Sequence, residues 1–438
     1  MRRFLPLMTA ALLAACAPAG PDTQTGAGTD GEAALAAGLS EDRLKANVQT
    51  LSSDEFEGRA PITAGEEKTI AFLAEKFAAA GLQPGNEGDW YQKVPLVEVS
   101  VDEDSADLTF ERAGEALTTA AYGKDQIVWT KRIRPEVSVE DAELVFVGYG
   151  IVAPERGWND YAGLDMKGKV AVILVNDPDW QTEGLEGTFN GRAMTYYGRW
   201  TYKYEEAARQ GAAGALIVHD TEPAAYGWST VASSWSGPQI EMDRADRGAG
   251  RVAVEGWLQK PVATGLLSAA GQDFDILSDA AREKGFQPVP LGITMSATLE
   301  NEIRRQQSNN VVGILPGTVR PDEYVLYTAH WDHLGRCAPG EADEICNGAF
   351  DNATGTAGLI ELAHAHAEAG AADRSLVFLA VTAEESGLLG SAHYAEQPIY
   401  PLAQTVGGLN MDGLNIIGAT NDVVVIGAGK SELEDILA

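Results

Sequence analysis

Residues 324–333, YVLYTAHWDH, decide the fold that we predict for this chain. Their first part, Tyr324–Thr328, is a short apolar run of the kind that forms a buried strand, and it ends just before His330. The other predicted strands are Val311–Leu315, Leu376–Val381 and Asp422–Ile426, and the predicted helices between and beyond them are Thr354–Ala369, Ser386–Glu396 and Ser431–Leu437. Strands that alternate with helices predict an α/β fold, with a mixed and mostly parallel sheet covered by helices on both faces.

Side chains that bind metals follow these strands, at the points where each strand turns into a loop. They are His330, Asp332, Asp351, Glu384, Glu385 and Asp412. Ligands of such sheets bind beyond the carboxyl ends of the strands, so we expect these residues to lie together. Carboxylates and neutral imidazole are ligands of zinc-like ions, and carboxylates that converge without a cation would repel one another. Each residue alone is typical of a structural role, but their joint order favours a metal site.

The spacing of these residues also suggests separate duties. An Asp two positions after a His can support the imidazole ring from behind, which is the role that we predict for Asp332. Of two adjacent carboxylates, one can bind metal while the other faces the substrate water as a base, which we predict for Glu385 and Glu384.

Four segments, TAHWDHLG, NGAFDNATGTAGLIELA, LAVTAEESGLLGSAHY and LNMDG, resemble those of the co-catalytic di-zinc exopeptidases. That clan includes bacterial leucyl aminopeptidase and glutamate carboxypeptidase. The resemblance extends from about Glu41 to the last residue and includes SSDEFEGRAPITAGEEK near its start. It implies the zinc exopeptidase fold.

The resemblance also implies a set of roles around two zinc ions. His330 and Asp412 would hold one zinc, Asp351 would bridge both, and Glu385 would bind the second. Glu384 would be the general base for a metal-bridging hydroxide that attacks the peptide carbonyl. The family further implies a cis peptide bond after the bridging aspartate.

One ligand of the family pattern does not occur in this sequence. The family places a final histidine of the second zinc further along the chain, and here the last histidine is His393. We therefore expect a chain truncated at its C-terminus. His333 is a spare candidate ligand beside the site, whereas His219, His364, His366 and His393 are predicted to be structural.

The N-terminal residues are typical of an exported bacterial lipoprotein. Two arginines precede an apolar stretch that ends in LAAC, so we predict a signal peptide over residues 1–16, lipidation of Cys16 and a membrane-anchored protein that faces the periplasm or the cell exterior. An ordinary signal peptide is the alternative. Residues 17–40 contain no aromatic residue, valine or isoleucine, and we predict a flexible tether there.

The rest of the chain divides into a peptidase domain and an insert. KGKVAVILVND and AARQGAAGALIVHD, with a helix between them, resemble a protease-associated domain, which we place at residues 136–262. The peptidase domain would then comprise residues 41–135 and 263–438. In an exported protein, Cys337 and Cys346 are predicted to form a disulfide in the loop before Asp351.

The charge excludes one class of partner. The chain has 64 acidic and 32 basic side chains in 438 residues, a net charge of −32, which disfavours nucleic acid. Its partners would be peptide substrates and a membrane, and the sequence does not indicate an oligomeric state. We predict an aminopeptidase. The alternatives are a di-zinc carboxypeptidase or amidohydrolase of the same clan, and a non-catalytic receptor-like binding protein.

Overall fold

The structure is a computed structural model that describes residues 27–337, 340, 342–418 and 420. The predicted signal peptide, Cys16, the strand Asp422–Ile426 and the helix Ser431–Leu437 lie outside the described residues. Within the described part, none of the helices has the length and apolar character needed to span a bilayer.

The chain forms ten α-helices and sixteen strands within the described residues. The first part comprises α1 (Ala27–Gly38), α2 (Glu41–Leu51), α3 (Ala64–Ala79), β1 (Gln83–Pro84) and β2 (Tyr91–Val101). The middle part comprises β3 (Leu108–Arg112), β4 (Glu115–Ala120), β5 (Gln126–Trp129), β6 (Glu136–Phe146), β7 (Val152–Ala153), β8 (Trp158–Asn159), β9 (Val170–Leu174), α4 (Trp200–Arg209), β10 (Gly214–His219), α5 (Thr221–Ala224), α6 (Trp228–Trp235), β11 (Gln239–Met242), β12 (Val254–Gln259), α7 (Lys260–Ala269) and α8 (Phe274–Ala280). The last part comprises β13 (Val289–Leu315), β14 (Arg320–His330), α9 (Thr354–Ala369), β15 (Arg374–Val381), α10 (Leu389–Glu396) and β16 (Thr405–Asn410).

Three parallel strands position the predicted site. β14 lies between β15 and β16 and pairs with both in parallel. His330 at the end of β14 is level with Val381 at the end of β15, and Thr328 is level with Asn410 at the end of β16. Because the ends of parallel strands meet at one edge, the loops that follow β14, β15 and β16 start side by side.

The remaining pairs confirm the predicted α/β fold with a mixed sheet. β13 continues the sheet beyond β15 and pairs antiparallel with β15, β2 and β6. In the middle part, β6, β9, β10 and β12 are parallel neighbours. β3 and β5 precede residue 136 but pair with strands of this same sheet, so the sheet extends beyond the predicted insert of residues 136–262. Those domain limits stay a prediction.

An apolar layer lies directly beneath the site. α9 follows the loop that carries Asp351 and packs on β14 and β15. Ala329, Leu359, Ile360 and Phe378 are fully buried in this layer, as is Trp331, which stands between two predicted site residues. Burial of such side chains stabilises each by about 1.5–3 kcal/mol, so the site rests on a rigid base.

The prediction of a flexible tether over residues 17–40 is wrong for residues 27–38, which form α1. The segment is rich in alanine, the strongest helix former, and it packs against α9. A Cβ added to Gly38 would lie 2.8 Å from the Cα of Ala365, so the two helices touch through their backbones. Low hydrophobicity misled the prediction, because small residues also allow close helix packing.

Candidate metal centre

Two groups of possible metal ligands lie at the carboxyl edge of β14, β15 and β16. The first consists of His330, Asp351 and Asp412, whose ligand atoms all lie within 4.8 Å of one another. The Nε2 atom of His330 is 3.1 Å from Oδ1 of Asp351 and 3.4 Å from Oδ1 of Asp412. This is the set predicted for the first zinc.

The second group consists of His333, Asp351 and Glu385, within the same 4.8 Å limit. Nδ1 of His333 lies 2.6 Å from Oε1 of Glu385. Asp351 is common to both groups, as expected of a bridging ligand. His333 was predicted only as a spare ligand, yet the structure brings it into the second group.

Glu384 faces the first group without being part of it. Its Oε2 is 4.0 Å from Nε2 of His330. Burial raises the pKa of Glu384 to about 7, with His330 lowering it and the neighbouring acids Asp332, Glu385 and Asp412 raising it further. A carboxyl with such a pKa can both accept and donate a proton near neutral pH.

Asp332 lies against the ring of His330, with its backbone oxygen nearer to the ring than its carboxylate. The ring Nδ1 of His330 lies 3.1 Å from the backbone oxygen of Asp332 and 3.7 Å from its carboxylate, which is beyond hydrogen-bond distance. The carboxylate instead accepts hydrogen bonds from the backbone N–H groups of Glu384 and Glu385, at 3.1 and 3.3 Å. The fully buried Asp332 therefore holds the Glu-Glu pair in place.

The acids around His330 favour its protonated form. Burial alone lowers the pKa of His330, but Asp332, Asp351 and Glu384 raise it to about 11. The hydrogen bond from His330 in turn lowers the pKa of Asp351. A metal ion would compete with a proton for this imidazole, because only neutral imidazole binds metal.

The donor set fits a pair of divalent cations. Four carboxylates and two histidines meet in one place, and Asp351 and Asp412 have side chains about half exposed, which leaves an approach from solvent. Oxygen and imidazole nitrogen donors suit zinc. Two three-ligand groups that share one aspartate can hold two ions, with His330, Asp351 and Asp412 around one and His333, Asp351 and Glu385 around the other.

The loop that leads to Asp351 contains a disulfide and a cis peptide bond, and a hydrogen bond connects it to the Asp412 loop. Cys337 and Cys346 are joined by a disulfide, with 5.8 Å between their Cα atoms, where the sequence predicts one. The peptide bond between Asp351 and Asn352 is cis, as the resemblance implies. The Asn352 side chain donates to the backbone oxygen of Met411, 3.0 Å away, and so connects the Asp351 loop to the Asp412 loop.

Comparisons with known proteins agree with this geometry. Residues 310–438, which carry every predicted ligand, match peptidase family M28. The chain is 32% identical over 137 residues to aminopeptidase NAALADL1 of Mus musculus, covering 29% of this chain and 17% of that protein. It is 35% identical over 92 residues to aminopeptidase YwaD of Bacillus subtilis, covering 21% of this chain and 18% of that protein.

A solved structure aligns over more of the chain. The aminopeptidase from Aneurinibacillus sp. strain AM-1 aligns with 87% of this chain and 72% of its own, at 20% sequence identity and a TM-score of 0.46. The matched segments span less than a fifth of the length of the two curated relatives. The match to peptidase family M28 is confined to residues 310–438, the region that carries the metal centre.

Proposed function

We propose that this protein is a zinc-dependent aminopeptidase that removes N-terminal residues from peptides. The observation that carries the proposal is the pair of ligand groups that share Asp351, with Glu384 beside them, in a region of family M28. The two curated relatives named above are both aminopeptidases.

Two zinc ions would be held by the two ligand groups. Zinc, when bound, supplies Lewis-acid polarisation of a carbonyl and lowers the pKa of water. The chain itself supplies Glu384, which we assign as the group that takes a proton from water and returns it to the leaving amine. Asp332 keeps Glu384 in reach by accepting its backbone N–H.

The preference for the amino end of the substrate rests on the relatives and on one acid. Zinc ions held by Asp351, Glu385 and Asp412 would neutralise these three carboxylates, which leaves Glu384 as the acid that can meet the substrate. An uncoordinated carboxylate attracts an ammonium ion and repels a carboxylate. Together with the two aminopeptidases named above, this supports cleavage from the amino end.

The first test combines zinc titration of the chelator-stripped chain with two substrates. One is leucine p-nitroanilide, which has a free amino group, and the other is an N-acetylated dipeptide with a free carboxylate. We expect two zinc ions per chain, hydrolysis of the anilide only, and a melting temperature that rises with zinc, since a ligand of the folded state stabilises it. Hydrolysis of the acetylated peptide alone would establish the carboxypeptidase alternative.

Two zinc ions without turnover of either substrate would instead indicate a receptor-like binding protein. Absence of zinc binding would overturn the proposed function as a whole, because both ligand groups would then serve another purpose.

We also propose that the protein is anchored to a membrane by lipid on Cys16. The LAAC sequence and the preceding apolar stretch support this. Radiolabelled palmitate should be incorporated by the wild-type chain in a bacterial host and not by Cys16→Ala. Equal labelling of both would contradict the anchor.

A further inference from the structure

A short segment, residues 57–59, is wedged between the two loops that carry the candidate ligands. These are the loop 331–335, which contains His333, and the loop 346–351, which ends at Asp351. A Cβ added to Gly58 would lie 2.5 Å from the backbone oxygen of Cys346 and 2.6 Å from that of Gly335. The segment therefore touches both loops at once and has no space for a larger residue at its centre.

The side chain of Arg59 crosses this junction and is fully buried. Its Nε donates to the backbone oxygen of Trp331 at 3.0 Å, and its Nη2 donates to that of Gly348 at 2.8 Å. Its Nη1 donates to the oxygens of Asn347 at 2.7 Å and Leu51 at 2.6 Å. One guanidinium thus binds both ligand loops and the end of α2.

The backbone of the same segment adds two further bonds. The N–H of His333 donates to the oxygen of Arg59 at 3.2 Å, and the N–H of Gly335 donates to the oxygen of Gly58 at 3.0 Å. A Cβ added to Gly348 would lie 2.6 Å both from Nη2 of Arg59 and from the ring of His333. Arg59 and the His333 ring therefore meet at the same point of the Asp351 loop.

The segment holds an unusual backbone conformation. Glu57, Gly58 and Arg59 have φ angles of 50°, 69° and 51°, in the left-handed region that non-glycine residues rarely adopt. For Glu57 and Arg59 such conformations are strained and persist only where the surroundings enforce them, which is common at functional sites. The contacts of Arg59 provide that enforcement.

We propose that Arg59 is a positioning residue that sets the distance between His333 and Asp351, and thereby the affinity of the second ligand group for zinc. This inference rests on the proposed function, because it assumes that the two groups hold metal. The planar fork of the guanidinium is the decisive property, since an ammonium has three donors at one point and cannot reach all four carbonyls that the guanidinium binds.

Two of the three ligands in the first group have supports that do not involve Arg59. His330 belongs to β14, and its backbone oxygen accepts a hydrogen bond from the Thr356 hydroxyl at 2.7 Å. The Asp412 loop is held by the side chain of Asn352. In the second group, both Asp351 and His333 lie on loops that Arg59 binds. Because Asp351 is shared, loss of the guanidinium should weaken both ions, and the second zinc more than the first.

The test compares Arg59→Gln and Arg59→Lys with wild type, all as the full chain. Zinc dissociation constants are measured for both ions by competition with a chelator. The control is Arg132→Gln, because Arg132 also donates two hydrogen bonds to a backbone oxygen, that of Arg251, but in the middle part of the chain. Hydrogen exchange of the His333 and Gly335 amides provides a readout that needs no metal.

We expect both Arg59 variants to bind the second zinc about 10- to 100-fold more weakly, the range typical of residues that orient metal ligands. The first zinc should be weakened by a smaller factor than the second, and the two amides should exchange faster without metal. The control should match wild type in both zinc constants.

Equal weakening of both ions, or a Lys variant with wild-type affinity, would overturn the inference. If Arg59→Gln does not fold, Arg59→Lys carries the test, and fast exchange of the two amides in metal-free wild type would overturn it without any variant. Failure of wild type to bind zinc would count against the proposed function and not against Arg59 as a tie between the loops, which the exchange data report separately.

Discussion

The metal centre and the middle part of the chain handle buried charge in opposite ways. In the middle part, the fully buried Lys203 donates from Nζ to the backbone oxygens of Tyr149 at 2.6 Å and Asn176 at 3.0 Å. Burial lowers the pKa of Lys203 to about 8, while Asp177 and Asp160 raise it. Lys203 is therefore the resident cation for the buried acids Asp177 and Asp160.

The metal centre gathers more acids for each fixed positive charge. Arg59 is the buried cation there, and like Lys203 it donates to backbone carbonyls. Burial lowers the pKa of Arg59, while the nearby acids Asp332, Asp351 and Glu385 raise it. The centre holds further acids, whereas Lys203 faces two. Both regions lie at carboxyl ends of parallel strands, so the architecture alone does not separate them. The excess of acids over fixed cations, more than the strand ends, therefore distinguishes the metal centre from an internally neutralised cluster.

The largest expected effect is on turnover and comes from Glu384, the acid of the metal centre that we assign as the general base and not as a metal ligand. Glu384→Gln should lower kcat by about 10²- to 10⁴-fold, because general acid–base catalysis contributes that much, with zinc content unchanged. Elemental analysis and anilide hydrolysis on the same sample check both. Glu385→Gln is the matched control and should lose the second zinc; an active Glu384→Gln enzyme would refute the assigned role.

Removal of the resident cation should have the next largest effect. Lys203→Met leaves the buried acids without a partner and should destabilise the fold by about 3–5 kcal/mol near neutral pH. Urea denaturation measures the difference, and zinc content per folded chain should not change. A loss within error of zero would show that the middle part does not depend on internal neutralisation.

The pH dependence of that loss follows from the acids. Burial raises the pKa of Asp177 to about 6, so the folded state prefers the protonated form, and the cost of ionisation is present above pH 6 and disappears as the pH falls towards the unfolded value. Without Lys203 the pKa of Asp177 should rise further, so the acid is neutral in the folded variant at pH 5. The loss should therefore be smaller at pH 5 than at pH 8, and the reverse order would contradict the assignment.

The smallest expected effect concerns a buried acid with an external arginine. Glu361 is 4% exposed and accepts hydrogen bonds from Arg43 at 3.0 and 3.1 Å and from the Ser40 N–H at 3.1 Å. Glu361→Gln should cost about 1–3 kcal/mol of unfolding free energy in urea denaturation. Glu41→Gln, which removes the exposed pair with Lys45, should leave stability unchanged, and equal losses would show that burial of the acid is unimportant.

Much of the centre could be predicted because strand ends are visible in sequence. The apolar runs before His330 and Glu384 mark strands, and parallel neighbours bring their ends together whatever the exact register. A position at the end of a parallel strand is therefore nearly sufficient to predict which acids lie close together.

Tertiary contacts explain what the sequence did not predict. His333 was assigned low weight because nothing local indicates which way a loop side chain points, although the His-x-x-His spacing of His330 and His333 is a usable signal. Arg59 stands within the quoted SSDEFEGRAPITAGEEK segment, yet its partners are distant carbonyls of Trp331, Asn347 and Gly348. Likewise, the helix α1 could not be predicted from its own residues, because it is stabilised by packing against α9.

The 27-residue strand β13 has a consequence for how the protein melts. Its first half pairs with β6 and its second half with β2 and β15, so one continuous backbone segment belongs to both regions compared above. If β13 detaches from either part of the sheet, the other part is left with an exposed edge. Calorimetry of the metal-free chain should therefore record a single cooperative transition, with calorimetric and van't Hoff enthalpies that agree.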